Sequence, residues 1–246
     1  MRKPAPLRVV GTRKKPTLRG PGPRRVAGQN APEARKRRRR ATPDVDAEIR
    51  RLGGRRSEYL LGQVTEAAEA FAHDRDRAAL RILRPVRDVL PDAASVRELL
   101  GLVEYRVGNY RAAAKELEAF VELTDSAEQH PVLMDCYRAQ KRWKRVDELW
   151  GELGVSSPSS ELVTEGRIVL AGSLADRGRM DEAIDLLRRK SKPVARPRDH
   201  HLRLWYALAD LEERAGNLSA ARDLFARVRR FDPDFADIAA RSANLR

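Results

Sequence analysis

A pattern of small, bulky and turn-forming residues returns about every 34 residues between roughly residue 60 and residue 233. Its fullest copy is Trp205, Leu208, Ala209, Glu212, Gly216, Leu218, Ala221, Phe225 and Pro233. Another runs Leu100, Gly101, Gly108, Tyr110, Ala113 and Leu117, and the one before it runs Ala67, Ala70, Asp76, Ala79, Leu83, Val86 and Pro91. These two are in phase, since Ala67 to Gly101 and Ala79 to Ala113 are both steps of 34. A copy at Met134, Tyr137, Trp143, Val146 and Trp150 starts one residue early, and one at Leu170, Ala171, Leu174, Gly178, Met180, Ala183 and Leu187 follows a longer connection. A period of this length describes one supersecondary unit that cannot bury its apolar face alone and must stack on its neighbours.

Each unit is expected to be a helical hairpin. Small residues (Ala67, Gly101, Ala171 and Ala209 on the first helix, Ala79, Ala113, Ala183 and Ala221 on the second) let two backbones approach, and the bulky residues between them fill the gaps. Gly108, Gly178 and Gly216 fall in the turn, where positive φ is cheap for glycine. Pro91 and Pro233 follow the second helix, where a missing N–H costs nothing. The offsets of Trp205, Leu208, Gly216, Ala221, Phe225 and Pro233 resemble the tetratricopeptide repeat (TPR) signature. The resemblance covers about 180 residues and is weakest around 127–153, where Met134 replaces a small residue and Pro131 opens the first helix. It implies an all-α fold, an α-α superhelix or solenoid of about five hairpins, and a surface for other proteins rather than a catalyst. The chain is also similar to small TPR proteins of Arg- and Ala-rich actinobacterial proteomes that carry a basic low-complexity arm before the array.

Charge divides the chain. Residues 1–41 hold 15 Lys and Arg against the single acid Glu33, a net of +14, so the rest of the protein is neutral. This segment also holds six prolines and four glycines, and it lacks aromatic residues and apolar periodicity. It cannot bury enough surface to offset the entropy of ordering, so residues 1–41 are expected to be a disordered basic tail. Its densest run, Arg35, Lys36, Arg37, Arg38, Arg39 and Arg40, suits loose attachment to phosphate or another anionic surface. Without interleaved aromatics it offers no platform for stacked bases. A transit peptide would carry serine, which does not occur before Ser57, and a secretory signal would need an apolar core after the charges.

Residues 42–56 read as a short helix and linker, opened by Thr42-Pro43-Asp44 and stopped at Gly53-Gly54, and residues 57–246 as one repeat domain. Polar connections are expected at residues 154–160 and 190–198, and a capping helix at residues 235–245. The lone Cys136, mid-helix beside Tyr137, excludes an internal disulfide and suits a buried, inert thiol in a reducing cytoplasm. No stretch is apolar enough to span a membrane.

Chemistry finds little support. His200 and His201 are adjacent at an expected surface helix start, where neighbouring side chains diverge, and His73 and His130 stand near turns without ligands at metal spacing. Gly20-Pro21-Gly22 opens no helix, so it is not a phosphate loop. Asp181-Glu182 and Glu212-Glu213 read as solvated helix faces. No catalytic, cofactor or metal residue is expected.

The resemblance places ligands along the first helix of each hairpin. That gives a groove of Glu98, Leu102, Tyr105 and Arg106; Asp135 and Arg138; Ile168, Gly172 and Asp176; and Tyr206, Asp210, Glu213 and Arg214. The Lys and Asn of a carboxylate clamp are missing there, so a partner of mixed charge is expected, anchored at Tyr105 and Tyr206. The leading expectation is a non-catalytic adaptor with a groove for a protein or peptide and a tail for an anionic partner. The alternatives are an RNA- or ribosome-associated protein gripped mainly by the tail, and a regulatory subunit of an enzyme.

Overall fold

A computed structural model describes residues 49, 51–156 and 159–244. Residues 1–48, with the basic run at 35–40 and the expected cap at Thr42, lie outside the described residues. Among the described residues all regular structure is helical, and the chain divides into two compact units at Gln129 and His130. The first holds α1 (Gly54–Ala72), α2 (Asp76–Val89), α3 (Ala94–Arg106) and α4 (Tyr110–Thr124). The second holds α5 (His130–Ala139), α6 (Trp143–Ser156), α7 (Ser160–Asp176), α8 (Met180–Arg188), α9 (Asp199–Arg214), α10 (Leu218–Phe231) and α11 (Ile238–Asn244).

One turn geometry makes all five hairpins. Asp74, Gly108, Lys141, Gly178 and Gly216 take positive φ, at 57°, 86°, 58°, 80° and 85°. The N–H of the residue after each reaches the carbonyl five positions back: Arg75 to Ala70, Asn109 to Glu104, Arg142 to Tyr137, Arg179 to Leu174 and Asn217 to Glu212, all at 2.8 to 2.9 Å. These bonds satisfy a carbonyl that the end of the first helix would leave open and aim the second helix back along it.

Close packing explains the small residues. Ala67, Ala79, Gly101, Ala113, Ala171, Ala183, Ala209 and Ala221 are buried. A Cβ on Gly101 would lie 2.7 Å from Cγ and Cδ2 of Leu117, so only glycine lets α3 meet α4 there. Ile49 joins Leu60, Val86, Leu90 and Val96 in one cluster, and Ala67, Leu83, Leu100 and Val103 form the next. In the second unit Tyr137, Leu153, Leu187, Trp205 and Phe225 are the large buried side chains.

Three expected boundaries move. The helix α6 continues through Gly154 to Ser156, and the chain turns only at Ser159, whose hydroxyl accepts the Leu162 N–H at 3.1 Å to cap α7. The terminal helix begins at Ile238 rather than Phe235, because Asp232 holds the Asp234 N–H in a turn and Ala236 adopts positive φ. Residues 51–52 are helical and Gly53 breaks there with φ 66°, but Gly54 already opens α1.

Candidate functional site

The first helices α3, α5, α7 and α9 carry the residues that the repeat register assigns to a groove. On α3, Glu98, Leu102 and Tyr105 recur at helical spacing and are each half-buried. Glu98 accepts a bond from Gln129 Nε2 at 2.7 Å, and burial raises its pKa above the usual carboxylate range against that bond. Tyr105 meets Tyr110 edge-on, with ring centroids 5.9 Å apart. Arg106 turns back to the preceding hairpin, where it bonds Asp74 at 2.8 Å and the Phe71 carbonyl at 2.7 Å and lies 3.5 Å over the Phe71 ring.

In the second unit the assigned charges meet one another across helices. Arg138 on α5 is 3% exposed and binds Asp135 on its own helix and Asp176 on α7, both at 2.7 Å. Burial pulls the Arg138 pKa down, Asp135 and Asp176 pull it up, and the net shift is upward. Glu165 on α7 meets Arg203 on α9 at 2.6 Å. Burial raises the Glu165 pKa against that guanidinium. Neither Glu165 nor Arg203 belongs to the groove set read from sequence, although the acid and the base at the starts of adjacent first helices could have signalled the pair. Gly172 is buried and Ile168 half-buried.

The last hairpin is covered by the chain's own end. Arg241 of α11 bonds Asp210 at 2.8 Å and Glu213 at 2.7 Å and lies 5.0 Å over the Phe225 ring. Tyr206 donates its hydroxyl to Asp237 and packs on Phe225 and Phe235, with centroids 5.5 and 5.6 Å away. Burial first, and then that carboxylate, raise the Tyr206 pKa above the ordinary tyrosine range. Arg214 remains exposed, 3.7 Å from Asp210.

Two readings from sequence are corrected by burial. Glu212 is 2% exposed rather than solvated, and it accepts bonds from Arg188 at 2.7 Å and Asn217 at 2.8 Å. Glu104 occupies the same place before its turn, bound by Arg84 at 2.9 Å and Asn109 at 2.6 Å. A glutamate four residues before the turn glycine and an asparagine just after it therefore form a recurring polar staple to the preceding hairpin. His200 is buried rather than at the surface, 3.5 Å from Glu161, and its ring centroid lies 4.0 Å from that of His201. His201 Nδ1 accepts the Arg198 N–H at 3.0 Å, so this ring closes the start of α9. His130 is also buried, 3.2 Å from Glu152. Among the described residues no group of three or more His, Cys, Asp or Glu could hold a metal ion. No described helix is long and apolar enough to cross a membrane.

A tetratricopeptide repeat model matches residues 202–245, the segment with the fullest copy of the pattern. The fold is similar to that of a thermophilic TPR protein from Thermus thermophilus, with a TM-score of 0.59 at 17% identity over 76% of this chain and 98% of that one. It is also similar to a Podosopora anserina protein of nearly identical TPR-like repeats, with a TM-score of 0.52 at 17% identity over 70% of this chain and 93% of that one. No curated protein matches the sequence. With the last hairpin matched in sequence and the others sharing its turn, the chain is a tetratricopeptide repeat protein.

Proposed function

We propose that this protein is a non-catalytic adaptor that binds a protein or peptide on the first-helix face of its hairpins, while residues 1–41 attach to an anionic partner. TPR folds serve as surfaces for protein interaction, and one observation carries the finer reading. Across α5, α7, α9 and α11 the charged groove positions are engaged in ion pairs within the chain, whereas α3 keeps the half-buried stripe Glu98, Leu102 and Tyr105. That stripe joins apolar area to a phenol and a carboxylate raised by burial, the mixture expected of an interface anchor. Tyr206, tied to Asp237 and wedged between two phenylalanines, is a support for α11 rather than a second anchor.

The test is a pull-down with full-length protein, with residues 42–246, and with a Leu102→Ala, Tyr105→Ala variant, each with and without nuclease. Stoichiometric capture of one protein by residues 42–246 supports the adaptor, with a loss of ~1 kcal/mol or more for each truncated anchor. Capture that needs the tail and vanishes with nuclease overturns it in favour of RNA or ribosome attachment. Salt gives an independent reading, since a tail contacting ~6–10 phosphates loses ~10³–10⁵ in affinity between 50 and 200 mM.

A further inference from the structure

The outer face of α10 is the end of the array, and its side chains state what could continue it. Inside the array, second helices send arginines forward to acids of the following hairpin. Arg84 and Arg87 on α2 reach Glu104 on α3 and Glu116 on α4, at 2.9 and 2.7 Å, and Arg188 on α8 reaches Glu212 on α9. Arg87 stands thirteen residues after the turn residue Asp74, and Arg229 stands thirteen after Gly216. Arg229 is therefore the equivalent of an arginine that, within the array, binds a buried glutamate of the next second helix.

After α10 the chain supplies only half of a further hairpin. The short α11 takes the place of a first helix, clamped to α9 through Arg241 and packed on Phe225. No described helix follows it to serve as the second. What faces that place is a cavity of about 380 Å³ lined by Arg222, Ala226, Arg229 and Arg230, with no carboxylate in its lining. All four residues are exposed, and Arg229 and Arg230 make no ion pair among the described residues. Asp223 is exposed on the same helix outside the cavity, and Asp232 and Asp234 follow the helix end.

We propose that this face binds one acidic helix of a partner protein, seated where the second helix of a further hairpin would lie. Charge identifies the occupant. A second copy of this chain, stacking its first hairpin there, would present Ile82 where α4 has Glu116 and Ala70 where α3 has Glu104, so it lacks the acids that the arginines require. The position that is Leu80 or Ile184 in earlier hairpins is Arg222 here, which also disfavours an apolar copy. An extended nucleic acid would run its phosphates past Asp223, Asp232 and Asp234, whereas a single helix with glutamates on one stripe meets only the arginine cavity.

The assay is fluorescence anisotropy on the full-length protein with residues 35–40 changed to glutamine, which removes competing attraction by the tail. The probe is a labelled 20-residue helical peptide with glutamates on one face. A peptide of the same composition with glutamates on all faces and an oligonucleotide of equal charge are the comparisons. Binding of the one-face peptide should weaken about tenfold in Arg229→Gln, Arg230→Gln and hold in Lys141→Gln, Lys144→Gln, two exposed lysines elsewhere. Circular dichroism confirms the fold of each variant. Equal loss in the lysine variant, equal binding of the all-face peptide, stronger binding of the oligonucleotide, or no binding of the one-face peptide would each overturn the proposal. Substitutions at Leu102 and Tyr105 should leave this binding unchanged, which separates it from the adaptor reading.

Discussion

Replacing Arg138 with methionine tests whether the ion network between α5 and α7 holds the second unit together. Arg138 is 3% exposed and Asp135 1% exposed, so neither group gains much from water in the folded state. Methionine keeps most of the side-chain volume but removes both 2.7 Å bonds, leaving the Asp135 carboxylate buried without that guanidinium. Breaking a buried pair from one side costs about 3–5 kcal/mol, because the remaining charge keeps its desolvation penalty. Asp176, with 13% of its side chain exposed, recovers hydration and adds little. Removing both charges, as Asp135→Leu with Arg138→Met, takes away the penalty together with the attraction and should return stability to within about 2 kcal/mol of the parent. Urea unfolding followed by tryptophan fluorescence isolates the effect, since Trp143, Trp150 and Trp205 all lie in the second unit. A loss below about 1 kcal/mol for Arg138→Met, or a double variant as unstable as the single one, would refute the reasoning.

Three further outcomes follow from local packing and titration. Gly101→Ala drives a methyl to 2.7 Å from Leu117 and should destabilise the first unit by about 1–3 kcal/mol, read by urea unfolding with circular dichroism. Cys136 is fully buried and burial pushes its thiol pKa up, so it should resist iodoacetamide in the native protein and react at once in urea, as measured by mass spectrometry. The His200 pKa is lowered by burial and then by His201, against the pull of Glu161 and Asp199, with Arg198 lowering it further. A depressed histidine contributes stability above its unfolded pKa near 6.5 that is lost as pH falls through the folded value. The second unit should therefore weaken between pH 7.5 and 5.5, and His200→Gln should shrink that difference; an unchanged pH profile would show that His200 does not set it.

The hairpins were legible because their turns and close contacts admit few residue types. Gly108, Gly178 and Gly216 announce positive φ, whereas Asp74 and Lys141 adopt it without glycine, and theirs are the copies that read less clearly. Tyr137 and Arg142 at the middle turn replace the Glu and Asn of the polar staple and meet by stacking, with the guanidinium 4.8 Å from the ring. The partners of charged side chains were not legible, because pattern along one helix does not reveal what faces it. Glu212 and Glu213 are adjacent, yet Glu212 is buried under Arg188 and Asn217 while Glu213 is held by Arg241 from the chain's end.

The same distinction reshapes the candidate site. Arginine and acid at corresponding positions of successive first helices look in sequence like a ligand clamp of mixed sign. In three dimensions the pairs Arg138–Asp176, Glu165–Arg203 and Asp210–Arg241 bridge neighbouring helices. Each bridge lets a hairpin recognise its successor by charge as well as by shape, and each removes two groups from those that a partner could engage. Recognition then falls to positions outside these bridges. Those are the apolar and phenolic stripe on α3 and the arginines at the end of α10, where the succession of hairpins stops before its last acid is supplied.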